Sequence, residues 1–119
     1  MDTNTNTNTS TTANEIEEYK KKYGKVYQVG VTVQPDDFTT LDFSYIFKKP
    51  NTASFDRYVK SVSQSSTKAM KMFVIENIVE DQSAKLEKDL EEYPALILSV
   101  GEKLLNMLGL SKDINLKQL

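Results

Sequence analysis

The sequence predicts an α+β fold: an N-terminal short helix and a two-stranded antiparallel β-hairpin packed on a compact bundle of about four helices. Three observations carry this. Residues 26–34 and 41–48 each alternate apolar and polar side chains with period two, and a turn-forming Pro35-Asp36-Asp37 lies between them. After Pro50 the apolar spacing changes to i, i+3, i+4, i+7, the period of a helix with one buried face. The chain has 119 residues, of which 39% are hydrophobic and 27% charged, which suits one core.

Taken in order, residues 1–13 alternate Thr with Asn and offer almost nothing to bury, so they are expected to form a disordered tail. The single domain is expected over 14–110, with 111–119 as a C-terminal tail. Asn14 is placed as the cap of a helix from Glu15 to about Tyr23. Its acids lie in the first turn and Lys20, Lys21 and Lys22 in the last, in the sense that complements the helix dipole. Gly24 stops it. Its apolar stripe, Ile16, Tyr19 and Tyr23, is narrow, so light docking on the domain is expected.

In the first strand Tyr27, Val29, Val31 and Val33 share a face, opposite Gln28, Gly30, Thr32 and Gln34. In the second, Leu41, Phe43, Tyr45 and Phe47 face one way and Asp42, Ser44, Ile46 and Lys48 the other. A connecting loop of several residues is expected, and Pro50 ends the second strand. Since an isolated hairpin is marginal in water, its apolar face needs a cover. The covering helices are predicted at 52–63, 67–79, 84–92 and 95–108. The first is capped by Asn51 or Thr52 and carries Phe55, Tyr58, Val59 and Val62. The second is capped by Ser66, is apolar around most of its circumference and runs to Val79. The third follows Ser83. The last is opened by Pro94 and closed by Gly109.

Composition also narrows function. The chain has no Cys and no His, so disulfides, thiolate nucleophiles, imidazole bases and the usual zinc sites are excluded. Net charge is −2 and pI about 5.2, against a general nucleic-acid binder. No apolar run reaches membrane-span length, and the polar N-terminus has no secretory h-region. The acids at 15–18, 80–81 and 87–92 alternate with lysines as solvated faces, and the glycines are too scattered for a phosphate loop. The reading is a non-enzymatic, cofactor-free and metal-free protein that binds another protein, with no nucleic acid and no membrane as partner.

Several residues are candidates for partner contact, each with a structural alternative. Lys48 and Lys49 are either edge protection or contacts to an acidic surface. Phe55 and Tyr58 are core or interface. Met70, Met72, Leu104 and Met107 are adaptable side chains that fit either a core or a binding groove. Gly101, inside the last helix, is either a close helix–helix contact or a point where a partner's backbone approaches.

The order of parts resembles a known group. Lys22-Tyr23-Gly24-Lys25-Val26-Tyr27 closes a charged helix, and the hairpin ends on Phe47-Lys48-Lys49-Pro50. A helix with Phe55 and Tyr58 follows, then one ending Glu76-Asn77-Ile78-Val79, an acidic loop, and a last helix opened by Tyr93-Pro94-Ala95-Leu96. Over residues 14–109 this is similar to the small tail assembly chaperones of tailed bacteriophages and prophages. That resemblance implies binding to the long, helix-rich tape-measure protein of the tail, keeping it soluble in the host cytoplasm while tube subunits assemble, together with self-association. It implies no catalytic residues. The alternative is a small structural virion protein, a head–tail connector or tail component acting through oligomerisation.

Overall fold

The computed structural model describes residues 12–119, so the tail expected at the N-terminus lies, up to residue 11, outside the described residues. The elements are α1 (Ala13–Tyr23), β1 (Val26–Asp36), β2 (Thr39–Lys48), α2 (Thr52–Val62), α3 (Ser66–Asn77), a single 3-10 turn (Glu80–Gln82), α4 (Ser83–Glu92) and α5 (Leu96–Met107). This is the α+β architecture predicted from the sequence.

Helix α1 begins two residues earlier than expected, and Thr12 rather than Asn14 caps it. Glu15 N–H donates to Thr12 Oγ1 at 3.2 Å, while Glu15 Oε1 accepts from Thr12 N–H at 2.9 Å. This reciprocal pair is available to Thr12 because Glu15 stands three residues on. At the other end Gly24 takes φ 82°, a backbone conformation that glycine adopts without penalty.

The hairpin is tighter than a loop of several residues. Asp36 pairs with Thr39, leaving Asp37 and Phe38 as the turn, and the register slips between Val33 and Asp36. The slip places Gln34 and Pro35 opposite Thr40, a bulge that accommodates a proline with no N–H to give. Asp36 fastens the turn by accepting from Phe38 N–H at 2.8 Å and from Thr39 Oγ1 at 3.0 Å. The Phe38 N–H bond, followed by the Thr39 hydroxyl, holds the Asp36 carboxyl below its usual range.

The core forms where Phe43, Tyr45 and Phe47 of β2 and Val29 of β1 meet Phe73 and Val74 of α3, Leu86 of α4, and Leu96, Val100 and Leu104 of α5. A side chain of this kind is worth about 1.5–3 kcal/mol when fully buried. Helices α3 and α5 approach closely at Gly101. A Cβ built there would fall within 2.8 Å of Met70 Cγ and closer still to its sulfur. Helix packing is therefore the role of this glycine.

Helix α3 ends at Asn77, not Val79, because Ile78 and Val79 leave the helix to join the hairpin. Ile78 bridges Phe47 in antiparallel fashion, and Val79 N–H donates to the Ile46 carbonyl at 3.0 Å. Extended backbone at Ile78 follows (φ −73°, ψ 147°). The residues expected as a loop, 80–82, form the 3-10 turn. It delivers Gln82, whose Oε1 accepts from the buried Ile46 N–H at 2.6 Å. Ser83 is the first residue of α4, and Gln82 occupies the cap position, its side chain turned to Ile46 rather than capping the helix. Pro94 lies in a turn ahead of α5, and Leu108 is its C-cap.

Two further contacts seal this side of β2. Tyr45 Oη donates to Asp89 Oδ2 at 2.6 Å, and Lys85 Nζ donates to the Ser44 carbonyl at 2.9 Å while lying 5.3 Å from the Tyr45 ring centroid. Burial, then the Asp89 carboxylate, pushes the Tyr45 hydroxyl far up, and burial lowers Lys85. On the opposite face of the hairpin, Ile46 joins Tyr19 of α1 and Val79 in a smaller cluster flanked by Tyr23 and Val26.

Candidate protein-binding site

Helix α2 is where the sequence and the packing diverge. Asn51 caps it by accepting from Ser54 N–H at 2.8 Å. Its expected apolar stripe does not all go inward. The buried residue of α2 is Ser54, and Tyr58 is half-buried with its ring 5.3 Å from that of Phe73. Phe55 and Val59 stay 37% and 48% exposed, and neither is a member of either buried cluster. Val62 is half-buried and also stands outside both clusters. Phe55, Val59 and Val62 sit at i, i+4, i+7, so one flank of α2 carries an apolar stripe that is open to solvent at Phe55 and Val59.

The other flank of α2 forms a cleft with α3 of about 270 Å³, lined by Tyr58, Phe73, Ala69 and Met72 among others. Met72 is 58% exposed and supplies an apolar wall. The cleft floor is polar and tightly tied. Arg57 donates from Nε to Glu76 Oε2 at 3.1 Å and from Nη2 to Oε1 at 3.0 Å, a bidentate pair. Ser54 Oγ donates to Glu76 Oε1 at 2.9 Å. Asn77 Nδ2 donates to Ser54 Oγ at 3.0 Å and to the Phe73 carbonyl at 2.7 Å. The Arg57 guanidinium holds the Glu76 carboxyl below its usual range, with Ser54 assisting against burial, and Glu76 raises Arg57 in turn.

A second depression shares Ser54, Arg57 and Glu76 with this cleft and extends it to Lys48, Lys49, Asn51 and Asn77. The continuous surface is therefore rimmed by Lys48, Lys49, Arg57 and Lys68. The acid among them, Glu76, is engaged by Arg57. Lys48 also lies 5.4 Å from the Tyr23 ring centroid, which anchors it beside α1. Apolar walls with a basic rim suit a protein segment that pairs apolar residues with acids.

Of the residues expected at a partner site, the structure brings Lys48, Lys49, Tyr58 and Met72 to this cleft, and Phe55 to the opposite flank of the same helix. It does not bring the others there. Met70 and Leu104 are buried in the core, Met70 against Gly101, and present no surface to a partner. Met107 is half-buried and packs against the core. Arg57, Glu76, Ser54 and Asn77 were not anticipated. Their link joins helices 19 to 23 positions apart in sequence, with no local motif to mark it.

Among the described residues no group of three or more Asp or Glu side chains is placed to hold a metal ion, and no helix is long and apolar enough to cross a membrane. The fold and this cleft define a small α+β domain with, among the described residues, one hairpin and five α-helices. A family model described as a domain of unknown function, DUF6848, matches residues 19–117, and the chain belongs to that family. The same fold occurs in the solved structure of the uncharacterised protein rbstp2171 from Bacillus stearothermophilus. The two chains are 28% identical, with a TM-score of 0.71 over 85% of this chain and 98% of that one. No curated protein matches the chain.

Proposed function

We propose that this protein is a binding module of the tail assembly chaperone type, which takes apolar helical segments of a tape-measure protein against α2 and α3 in the host cytoplasm. The observation that carries the reading is α2 itself. Phe55 and Val59 remain outside the core on one flank, and Tyr58 with Met72 opens a cleft on the other. A tape-measure chain exposes long apolar stripes before tube subunits cover it. A helix laid along α2 would shield one such stripe, and the Lys48, Lys49 and Lys68 rim would meet acids beside it. Methionine and tyrosine walls tolerate varied side chains, which a chaperone for a long repetitive partner requires. The reading needs no catalytic step, cofactor, nucleic acid or membrane.

The test is co-expression with the tape-measure protein of the same phage or prophage, followed by pull-down and a solubility assay. The expected result is a soluble, co-purifying partner with the wild-type chain, and loss of both with V59E and M72E combined. Because both side chains are exposed, the double variant keeps its fold. Failure of the wild-type chain to bind that partner, with a fixed copy number in purified virions, would replace this reading by that of a structural head–tail connector or tail component. That second reading draws on the hairpin, whose β1 strand has β2 as its sole strand neighbour among the described residues.

A further inference from the structure

We propose that β1 pairs with β1 of a second copy of this chain, antiparallel and centred on Gly30, to make one continuous four-stranded sheet. The inference does not depend on the chaperone reading, and its test reads self-association rather than capture of another protein.

The direction of the peptide groups comes first. Ile46 uses its N–H on Gln82 and its carbonyl on Val79, both away from β1. Along an antiparallel strand, N–H and C=O groups alternate sides with each residue. Phe43, Tyr45 and Phe47 therefore point their backbone groups at β1, where they face Val31, Val29 and Tyr27. It follows that Val26, Gln28, Gly30, Thr32 and Gln34 direct theirs outward. Beyond the ladder with β2, no backbone hydrogen bond among the described residues reaches them. Gln28, Gly30, Thr32 and Gln34 are all exposed. Helix α1 does not cover this edge, because Tyr19 and Tyr23 rest on Ile46, Val79 and Val26, and Glu80 N–H lies 3.5 Å from Tyr23 Oη.

Such an edge normally carries a lysine, an inward charge or a proline that prevents pairing. From Val26 to Gln34 this one carries none, and Pro35 and the bulge mark its end. Gly30 is the midpoint of that run. Pairing about it sets Gly30 against Gly30, Gln28 against Thr32 and Val29 against Val31 of the second copy. Tyr27 then meets Val33. Tyr27 is 37% exposed and Val31 and Val33 are half-buried in the single chain, so this pairing covers apolar surface that the chain leaves open. At each end Lys25 of one copy comes beside Asp36 of the other, a complementary charge pair. The occupant is therefore a second copy: neutral and β-branched along the middle, with opposite charges at the ends.

Sedimentation of the full-length chain across micromolar concentrations tests this. Wild type is expected to form a dimer. A Cβ at position 30 meets only the Phe43 carbonyl oxygen, at 3.9 Å, so the single chain accepts a side chain there. Gly30→Lys and Gly30→Asp each place like charges face to face and should raise the dissociation constant about tenfold or more. An equal mixture of the two should dimerise again, and Gly30→Thr should stay dimeric. Independently of any variant, hydrogen-exchange protection of the Gln28, Gly30 and Thr32 amides should rise with protein concentration. A wild-type chain that is monomeric throughout overturns the proposal, as does a Gly30→Lys dimer as tight as wild type, which would place the contact on another face such as α2. Protection of these amides at every concentration in a monomer also overturns it, because a segment of the same chain would then occupy the edge.

Discussion

The two edges of the hairpin are built on opposite principles. Along the outer side of β2 the backbone groups of Ile46 are met by Val79 and Gln82, and Lys85 adds a bond to Ser44. Along the outer side of β1 the same kind of groups meet solvent. The difference comes from the path of the chain. Leaving α3 two residues early lets Ile78 and Val79 run beside β2, and the 3-10 turn then inserts Gln82. Nothing described in the chain does this for β1. One edge is thus tied into the fold and the other keeps its backbone groups open, so that a two-stranded sheet is rigidly supported on one side only.

The largest expected effect sharpens this contrast with two aromatic residues that face each other across the hairpin. Phe47 on β2 is fully buried, while its register partner Tyr27 on β1 is more than one-third exposed. Phe47→Ala should cost about 3–5 kcal/mol, the range for a buried phenylalanine whose cavity cannot collapse. Tyr27→Ala should cost about 1 kcal/mol. Urea unfolding measures both, with the slope unchanged if the change lies in the folded state. Equal losses at the two positions would mean that β1 carries the same share of the fold's stability as β2.

The next effect concerns the link that closes the β2 edge. Gln82→Met keeps the side-chain volume but removes the acceptor for the buried Ile46 N–H. It should cost about 1–3 kcal/mol, since that donor is buried and would lose its acceptor. Gln28→Met on the bare edge breaks an exposed bond to Ser44 Oγ and should stay within about 0.5 kcal/mol. Thermal and urea midpoints of the pair provide the comparison. A neutral Gln82→Met would show that another group satisfies Ile46.

Much of this arrangement was legible in the sequence. Period-two alternation located both strands and the face carrying Phe43, Tyr45 and Phe47, because a half-buried sheet imposes that period directly. Helical spacing located α2 to α5 to within about two residues. Elsewhere a non-local contact or an overlooked cap decided the outcome. Val79 looks helical by spacing, but its N–H is claimed by Ile46, thirty-three positions away. Thr12 was a readable cap, since Glu15 follows at the capping-box distance, and Asp36 was a readable turn anchor. The site was less legible. The spacing of Phe55, Tyr58, Val59 and Val62 implied one buried face, yet α2 turns Ser54 and Tyr58 inward and leaves Phe55 and Val59 out. Periodicity marks a stripe but not what covers it. Ser54 is buried because Asn77 and Glu76 hold its hydroxyl, and those partners lie on another helix.

That polar link offers the smallest and most specific test, because it fixes the helix that carries the exposed stripe. Glu76→Gln keeps an acceptor for Ser54 and removes the charge facing Arg57. The pair is partly exposed, with Arg57 mostly in solvent, so screening limits its worth to about 1 kcal/mol or less. The sign of its pH dependence follows from the depressed Glu76 carboxyl. A group whose folded value lies below its unfolded one contributes stability that is present above the unfolded value and lost as pH falls through the folded one. The gap between wild type and Glu76→Gln should therefore be constant near neutral pH and narrow as pH drops below the ordinary glutamate value of 4.5. Lowering pH should leave the β2 edge untouched by this route, because Gln82 carries no charge to titrate. If the gap instead persists into acid, the Arg57 pairing is not what seats α2. The hold on this helix would then come from the Asn77–Ser54 bond and the Tyr58–Phe73 contact, which do not titrate.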